Sequence, residues 1–234
     1  MTKDKETFIL VMPVLNEEAY IENSILSWTP IITSFPGSEI MIIDGGSKDK
    51  TKEKLEKLRK KLKFLKLVDQ IDKGHGNALI QGYNLAVNSA HSWVFQTDGD
   101  GHHNPSDFEA LWVKRTKSDF VLGHRKRRQD PAYRLVIAKL VSLAILILFG
   151  VYIKDPNIPF RLMRRDFLKK ILKHVPKGVF APNIFLSILA KKNGHNLYHI
   201  PVTHTNRKKA TSNTRTVLKG ASRSFLELLL FALA

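Results

Sequence analysis

The chain has 234 residues, 43% of them hydrophobic, which is enough for one full core and makes a single domain the expected count. It contains no cysteine, which excludes disulfides and thiolate metal sites and fits a reducing cytoplasm. The formal charge of +17 is unevenly placed: twelve Lys and Arg and no carboxylate lie between Asp166 and Glu227, so the C-terminal third is expected to face a polyanion or an anionic membrane surface.

The start, Met-Thr-Lys-Asp-Lys-Glu, is charged and leads directly into a strand, so no secretory signal is expected. Phe8 to Val14 is a near-continuous apolar run and reads as a buried strand, followed by a helix from about Glu17 through Ser27. Glu39 to Asp44 is a second strand, and Gly45-Gly46-Ser47 turns into a helix reaching about Lys61. Phe64 to Val68 is a third strand, and Leu79, Tyr83, Ala86 and Val87 recur at helical spacing in a helix from about Gly76 to Ala90. Trp93 to Thr97 and Phe120 to Gly123 supply two more strands, with a helix starting near Pro105 between them. Such alternation predicts an α/β fold: a mostly parallel central sheet with helices on both faces, and function at the carboxyl ends of the strands.

The fourth strand ends in Asp98-Gly99-Asp100-Gly-His102-His103. Two carboxylates at that rim, separated by a glycine, are hard oxygen ligands suited to Mg2+ or Mn2+ and through it to a diphosphate. Asp-x-Asp triplets also serve as turn formers, but Asn104-Pro105-Ser106-Asp107 is its own turn and helix start and needs neither aspartate as a cap. Pro13-Val14-Leu-Asn16-Glu17, Asp44-Gly-Gly-Ser47 and Gly123-His-Arg125 fall on the same edge, which favours a nucleotide site there.

Leu135 to Ile153 is strongly apolar and follows the basic cluster Arg125-Lys-Arg127-Arg128. A helix there, at about 1.5 Å per residue, barely crosses a bilayer, so one lying in the membrane interface or on the core is preferred to one that spans. The ending Phe225 to Ala234 is too short to span and reads as another membrane-surface or partner-binding helix.

These motifs in this order resemble glycosyltransferase family 2, and within it the dolichyl- or polyprenyl-phosphate mannose synthase-like branch, from Ile9 to about Arg223. The resemblance implies a single GT-A type nucleotide-sugar-binding domain over residues 1–215, including an apolar interfacial helix at 133–153, and a C-terminal apolar or amphipathic helix at 216–234. It implies a nucleotide site of Pro13, Val14, Asn16, Glu17, Asp44, Lys73, Gly74 and Asp98, and a metal site of Asp98 and Asp100 with His102 in the place of a glutamine. Asp119-Phe-Val-Leu-Gly-His-Arg125 and Asp155-Pro-Asn-Ile-Pro159-Phe160-Arg161 look like two further motifs, the second making Asp155 a catalytic candidate beside Asp98 and Asp100. Four departures stand out: Gly45 replaces the second aspartate of the family's Asp-Asp-Gly-Ser, Pro159 replaces a glycine, Ala210 replaces another, and the helix from Asn183 to Lys192 lacks a carboxylate that relatives often carry.

The implied reaction is inverting transfer of a hexose from a nucleotide sugar to a membrane polyprenyl phosphate. A phosphate acceptor is already anionic and needs no general base, in keeping with the missing carboxylates between Asp166 and Glu227. Arg125, Arg127, Arg128, Arg134 and Arg207 are the candidates for its phosphate, since guanidinium forks match phosphate oxygens. Attachment is expected to be peripheral, on the cytoplasmic face of an anionic membrane. One alternative is a glycan or glycolipid acceptor; another is a silent nucleotide- or RNA-binding protein. No nucleic acid is expected, because the basic third has no recognised motif and few aromatics among its cations.

Overall fold

A computed structural model describes residues 6–125, 131–204 and 214–233. Seven strands form one sheet: β1 (Phe8–Val14), β2 (Glu39–Asp44), β3 (Leu65–Asp69), β4 (Trp93–Thr97), β5 (Phe120–Arg125), β6 (Phe160–Arg164) and β7 (Leu197–Val202). The helices are α1 (Ile21–Ser34), α2 (Thr51–Lys61), α3 (His75–Val87), α4 (Phe108–Lys114), α5 (Ala132–Phe149), α6 (Arg165–Leu172), α7 (Pro182–Lys192) and α8 (Thr214–Leu233). The sheet order is β3-β2-β1-β4-β6-β5-β7, with β6 antiparallel to both neighbours and every other pairing parallel.

Sheet polarity decides where the chemistry collects. The parallel strands β1, β2, β3, β4 and β5 bring the ends of their runs to one rim. Because β6 runs the other way, the segment that precedes it, with Asp155, arrives at that same rim rather than the opposite one. Each residue of β1 and β4 is buried, as near-continuous apolar strands covered on both faces require.

Two helices differ from expectation. The helix expected from Glu17 begins at Ile21, because residues 16–20 are held as a turn by the loop after β2. It then continues through Pro30 to Ser34. Trp28 and Ile32 keep facing the core across the proline, and that burial outweighs the lost backbone bond and ring clash of about 3 kcal/mol. The apolar segment expected as helix to Ile153 stops at Phe149, where Gly150 takes φ 68° in a left-handed cap.

Helix α3 lies unusually close to the sheet. A Cβ at Gly82 would sit 2.4 Å from Val11 Cγ1 and 3.2 Å from Ile43 Cγ1, both in the packed interior. Gly82→Ala should therefore lower unfolding free energy by about 1–3 kcal/mol, read as a lower urea midpoint with an unchanged slope. Gly150→Asn is the control: nothing lies within 4 Å of its Cβ and asparagine tolerates left-handed backbone, so the loss there should stay below about 1 kcal/mol.

Candidate active site

Two loops at the rim are laced to each other. The Asn16 backbone N–H donates to Ser47 Oγ (2.9 Å), the Lys48 N–H to Asn16 Oδ1 (2.8 Å), the Glu17 N–H to Thr51 Oγ1 (2.8 Å) and the Glu18 N–H to Asp49 Oδ2 (3.1 Å). Asn16 is also the one non-glycine residue with positive φ, 55°, among the described residues. Asp44 is 1% exposed and accepts from Ser47 Oγ at 2.6 Å. Asn16 Oδ1 and the Asp44 carboxylate thus take part in holding the turn that borders the rim.

That turn borders a cavity of about 270 Å³, which lies beside a larger one of about 390 Å³. The smaller is walled by Pro13, Val14, Glu17, Gly45, Gln70 and Gly74 and reaches Asp98 and Asp100. Gly74 adopts φ 109°, and a Cβ at Gly76 would lie 2.1 Å from the Val179 carbonyl oxygen, so both glycines of Lys73-Gly-His-Gly are needed to seat α3 against the loop before α7. Lys73 is exposed and lies outside the lining of either cavity. His75 and Asp98 line both cavities and form their common wall.

Asp98 and Asp100 stand beside each other in this cleft. Burial, and then the charge of Asp100, hold the Asp98 carboxyl well above its ordinary value, while Arg125 and Arg161 pull it down. His102 donates its backbone N–H to Asp100 Oδ1 (3.0 Å), places Nε2 3.6 Å from Asp100 Oδ2 and stacks on His204 at 5.3 Å. Beside it, burial first and then the nearby His204 and Arg125 charges push His103 down to about 3, so that ring is neutral. Among the described residues no three His, Asp or Glu converge on one point, so the expected trio Asp98, Asp100 and His102 is not a closed cage. The donor set nevertheless fits a divalent ion: two hard, mutually repelling carboxylates in an open cleft leave positions for phosphate oxygens, the usual Mg2+ arrangement.

Behind Asp98 runs a directed chain of neutral groups. Tyr83 donates its hydroxyl to Asn183 Oδ1 (2.7 Å), Asn183 Nδ2 donates to Gln96 Oε1 (3.1 Å), and Gln96 Nε2 donates to Asp98 Oδ1 (3.2 Å). Each member has one proton arrangement, so the chain fixes the Asp98 carboxylate without adding charge. Beneath it Arg161, fully buried, donates to the carbonyls of Pro156, Ile158 and Asn183, and its burial lowers it to about 10. Arg125 forms a two-pronged ion pair with Asp155, 2.9 Å at each contact. Arg134 lines the larger cavity with that pair. Arg127, Arg128 and Arg207 lie outside the described residues.

Comparison with known proteins agrees with this geometry. The model of glycosyl transferase family 2 matches residues 9–178. The chain belongs to that family. It is 27% identical over 218 residues to polyprenol monophosphomannose synthase of Mycolicibacterium smegmatis, covering 87% of this chain and 79% of that one. It is 31% identical over 213 residues to a dolichyl-phosphate beta-glucosyltransferase of Trichomonas vaginalis, covering 82% and 64%. The fold superposes on glucosyl-3-phosphoglycerate synthase of Mycobacterium tuberculosis, solved with Mn2+ and UDP-glucose, with a TM-score of 0.71 at 18% identity, over 98% of this chain and 80% of that one.

Within a family 2 enzyme the neutral chain has a clear meaning. The first turn of α7 offers Asn183, which passes a hydrogen bond on to Gln96 without adding a charge. No motif points to Gln96, Tyr83 or Asn183, although one signal is present: a glutamine inside the otherwise apolar Trp93-Val-Phe-Gln96-Thr must find a partner.

A carboxyl held above its ordinary value binds its proton more tightly folded than unfolded. Asp98 therefore costs stability as pH rises through the window from 3.8 up to its raised folded value. Asp98→Asn removes that cost and keeps an acceptor for Gln96. At pH 7 without metal it should melt about 2–6 °C higher than the parent while losing turnover; a lower melting temperature would overturn the electrostatic account.

Proposed function

We propose that this enzyme transfers a hexose from a nucleoside diphosphate sugar to a polyprenyl phosphate, with inversion, at a membrane surface. The observation that carries the proposal is the mixed lining of the larger cavity. Asp98, Arg125, Arg134 and Asp155 give it a charged part, while Ile137 and Val141 of α5 and Val217 and Ala221 of α8 give it apolar walls. A charged part that shares Asp98 with the donor cleft, beside apolar walls from two helices, suits an amphiphile that carries a phosphate on an apolar chain.

The two helices that supply those apolar walls have bare apolar outer faces. Leu143 and Ile147 on α5 and Leu229, Leu230 and Leu233 on α8 are exposed, Ile147 at 73%. Helix α5 is long and apolar enough to cross a membrane, and little of it is buried in the fold. Helix α8 is tied down on its inner side: the Phe180 N–H donates to Glu227 (2.9 Å to Oε2), which also pairs with Arg223 at 2.8 Å. Both helices then lie in the interface with their leucines in the acyl layer, and the basic cluster meets anionic headgroups, a two-signal attachment.

In the reaction, Arg125 and Arg134 orient the acceptor phosphate, with Arg127, Arg128 and Arg207 assigned to it by their place in the chain. The Asp155 pair keeps the Arg125 guanidinium plane fixed. An acceptor oxygen attacks the anomeric carbon from the side opposite the leaving diphosphate, which gives inversion, and no proton has to be removed from it. A divalent ion, Mg2+ or Mn2+, on Asp98 and Asp100 would neutralise charge on the leaving diphosphate. The remaining site residues exclude water from the donor and hold Asp98 in place.

Incubation with a panel of nucleotide sugars, Mn2+ and a synthetic polyprenyl phosphate in anionic vesicles should yield a glycosylated lipid phosphate in the organic phase, identified by mass. Arg134→Glu should lower its yield at least about ten-fold and change nucleotide affinity less than about two-fold. Product confined to the aqueous phase would instead select a glycan acceptor.

A further inference from the structure

We infer that Gln70 reads the base of the donor nucleotide and that the base is uracil. The inference rests on the proposal that the smaller cavity takes a nucleoside diphosphate sugar, and it adds the identity of the nucleoside. Gln70 follows β3 and Asp98 follows β4; with β2 and β1 between those strands, about 4.8 Å per step separates them by about 14 Å. A ribose and a base bridge such a separation when the diphosphate lies at Asp98 and Asp100.

The Gln70 amide has one orientation. Its Nε2 donates to the carbonyls of Asp72 and Gly74, the latter at 2.7 Å, and its backbone N–H donates to the Asp44 carbonyl at 2.9 Å. Both amide hydrogens are engaged, so Oε1 is left as a fixed, neutral acceptor on the cavity wall. It points toward Gly45: a Cβ at that position would lie 3.0 Å from Oε1. Gly45 and Gln70 are thus a matched pair, in which the missing side chain at one position leaves room for the amide oxygen of the other. The neighbouring carboxylate does not compete for the base, since Asp44 is 1% exposed and bonded to Ser47.

A fixed acceptor selects a base with a ring N–H. Uracil presents one such donor, N3–H, between two carbonyls. Cytosine and adenine present a ring nitrogen lone pair there, which would face the lone pairs of Oε1. Guanine presents two adjacent donors, N1–H and its amino group; a carboxylate at position 45 would take both, but the chain has glycine there and a single amide oxygen beside it. The cavity of about 270 Å³ is also small, which favours a pyrimidine.

Calorimetric titration of the full chain with UDP, GDP, CDP, ADP and N3-methyl-UDP in Mg2+ tests this without any acceptor. The parent should prefer UDP by at least about ten-fold over each of the others, the equivalent of one directed hydrogen bond. In Gln70→Leu the UDP to N3-methyl-UDP ratio should collapse to within about three-fold. Any general loosening of the loop lowers all affinities together and leaves that ratio standing. Tighter binding of GDP, or a ratio unchanged by Gln70→Leu, overturns the inference while leaving the sugar-transfer proposal intact; no binding of any nucleoside diphosphate overturns both.

Discussion

Two carboxylates repelling each other in a partly desolvated cleft are the constraint on which the rest of this structure depends. Asp98 and Asp100 follow a strand whose every residue is buried, and burial, then the charge of Asp100, holds Asp98 well above an ordinary carboxyl. The surroundings oppose that with positive charge from Arg125 and Arg161 and otherwise supply only neutral partners. Tyr83, Asn183 and Gln96 orient the carboxylate through hydrogen bonds of fixed direction. A glutamate at position 183 would set a third negative charge against the pair; asparagine adds none.

Arg161 shows how that frame is kept rigid. A guanidinium with no solvent exposure is tolerated because three backbone carbonyls, with the Ser187 hydroxyl, take up its donors. Those carbonyls belong to the segment before β6 and to α7, so one side chain fastens the acceptor wall to the strand beside Asp98. The reversed direction of β6 is what makes this possible, since it returns the chain to the rim where the parallel strands end.

Much of the fold was legible in the sequence, because strands covered on both faces must be continuous apolar runs and helices between them must repeat every three to four residues. The departures have local causes. Helix α1 starts late because its first turn is laced to the neighbouring loop. It outlasts Pro30 because the apolar face continues beyond it. Helix α6 carries no boundary signal, as it follows β6 without an intervening loop.

For the site, sequence by itself determined which residue types reach the rim: the Asp98-Gly-Asp100 pair, the Pro13-Val14 and Glu17 wall, the Lys73-Gly-His-Gly turn and Arg125; the reversed β6 brought Asp155 there. Sequence did not determine what each does, because Asn, Asp, Ser and Thr hydrogen-bond a ligand or a neighbouring loop with equal ease. Only the tertiary structure bonded Asn16 and Asp44 to the neighbouring loop residues, set Gln70 beside Gly45, and linked Tyr83 to Asn183 across 100 residues of chain. Those roles are decided by which polar atom finds its partner first in three dimensions, and a linear pattern carries no record of that distance.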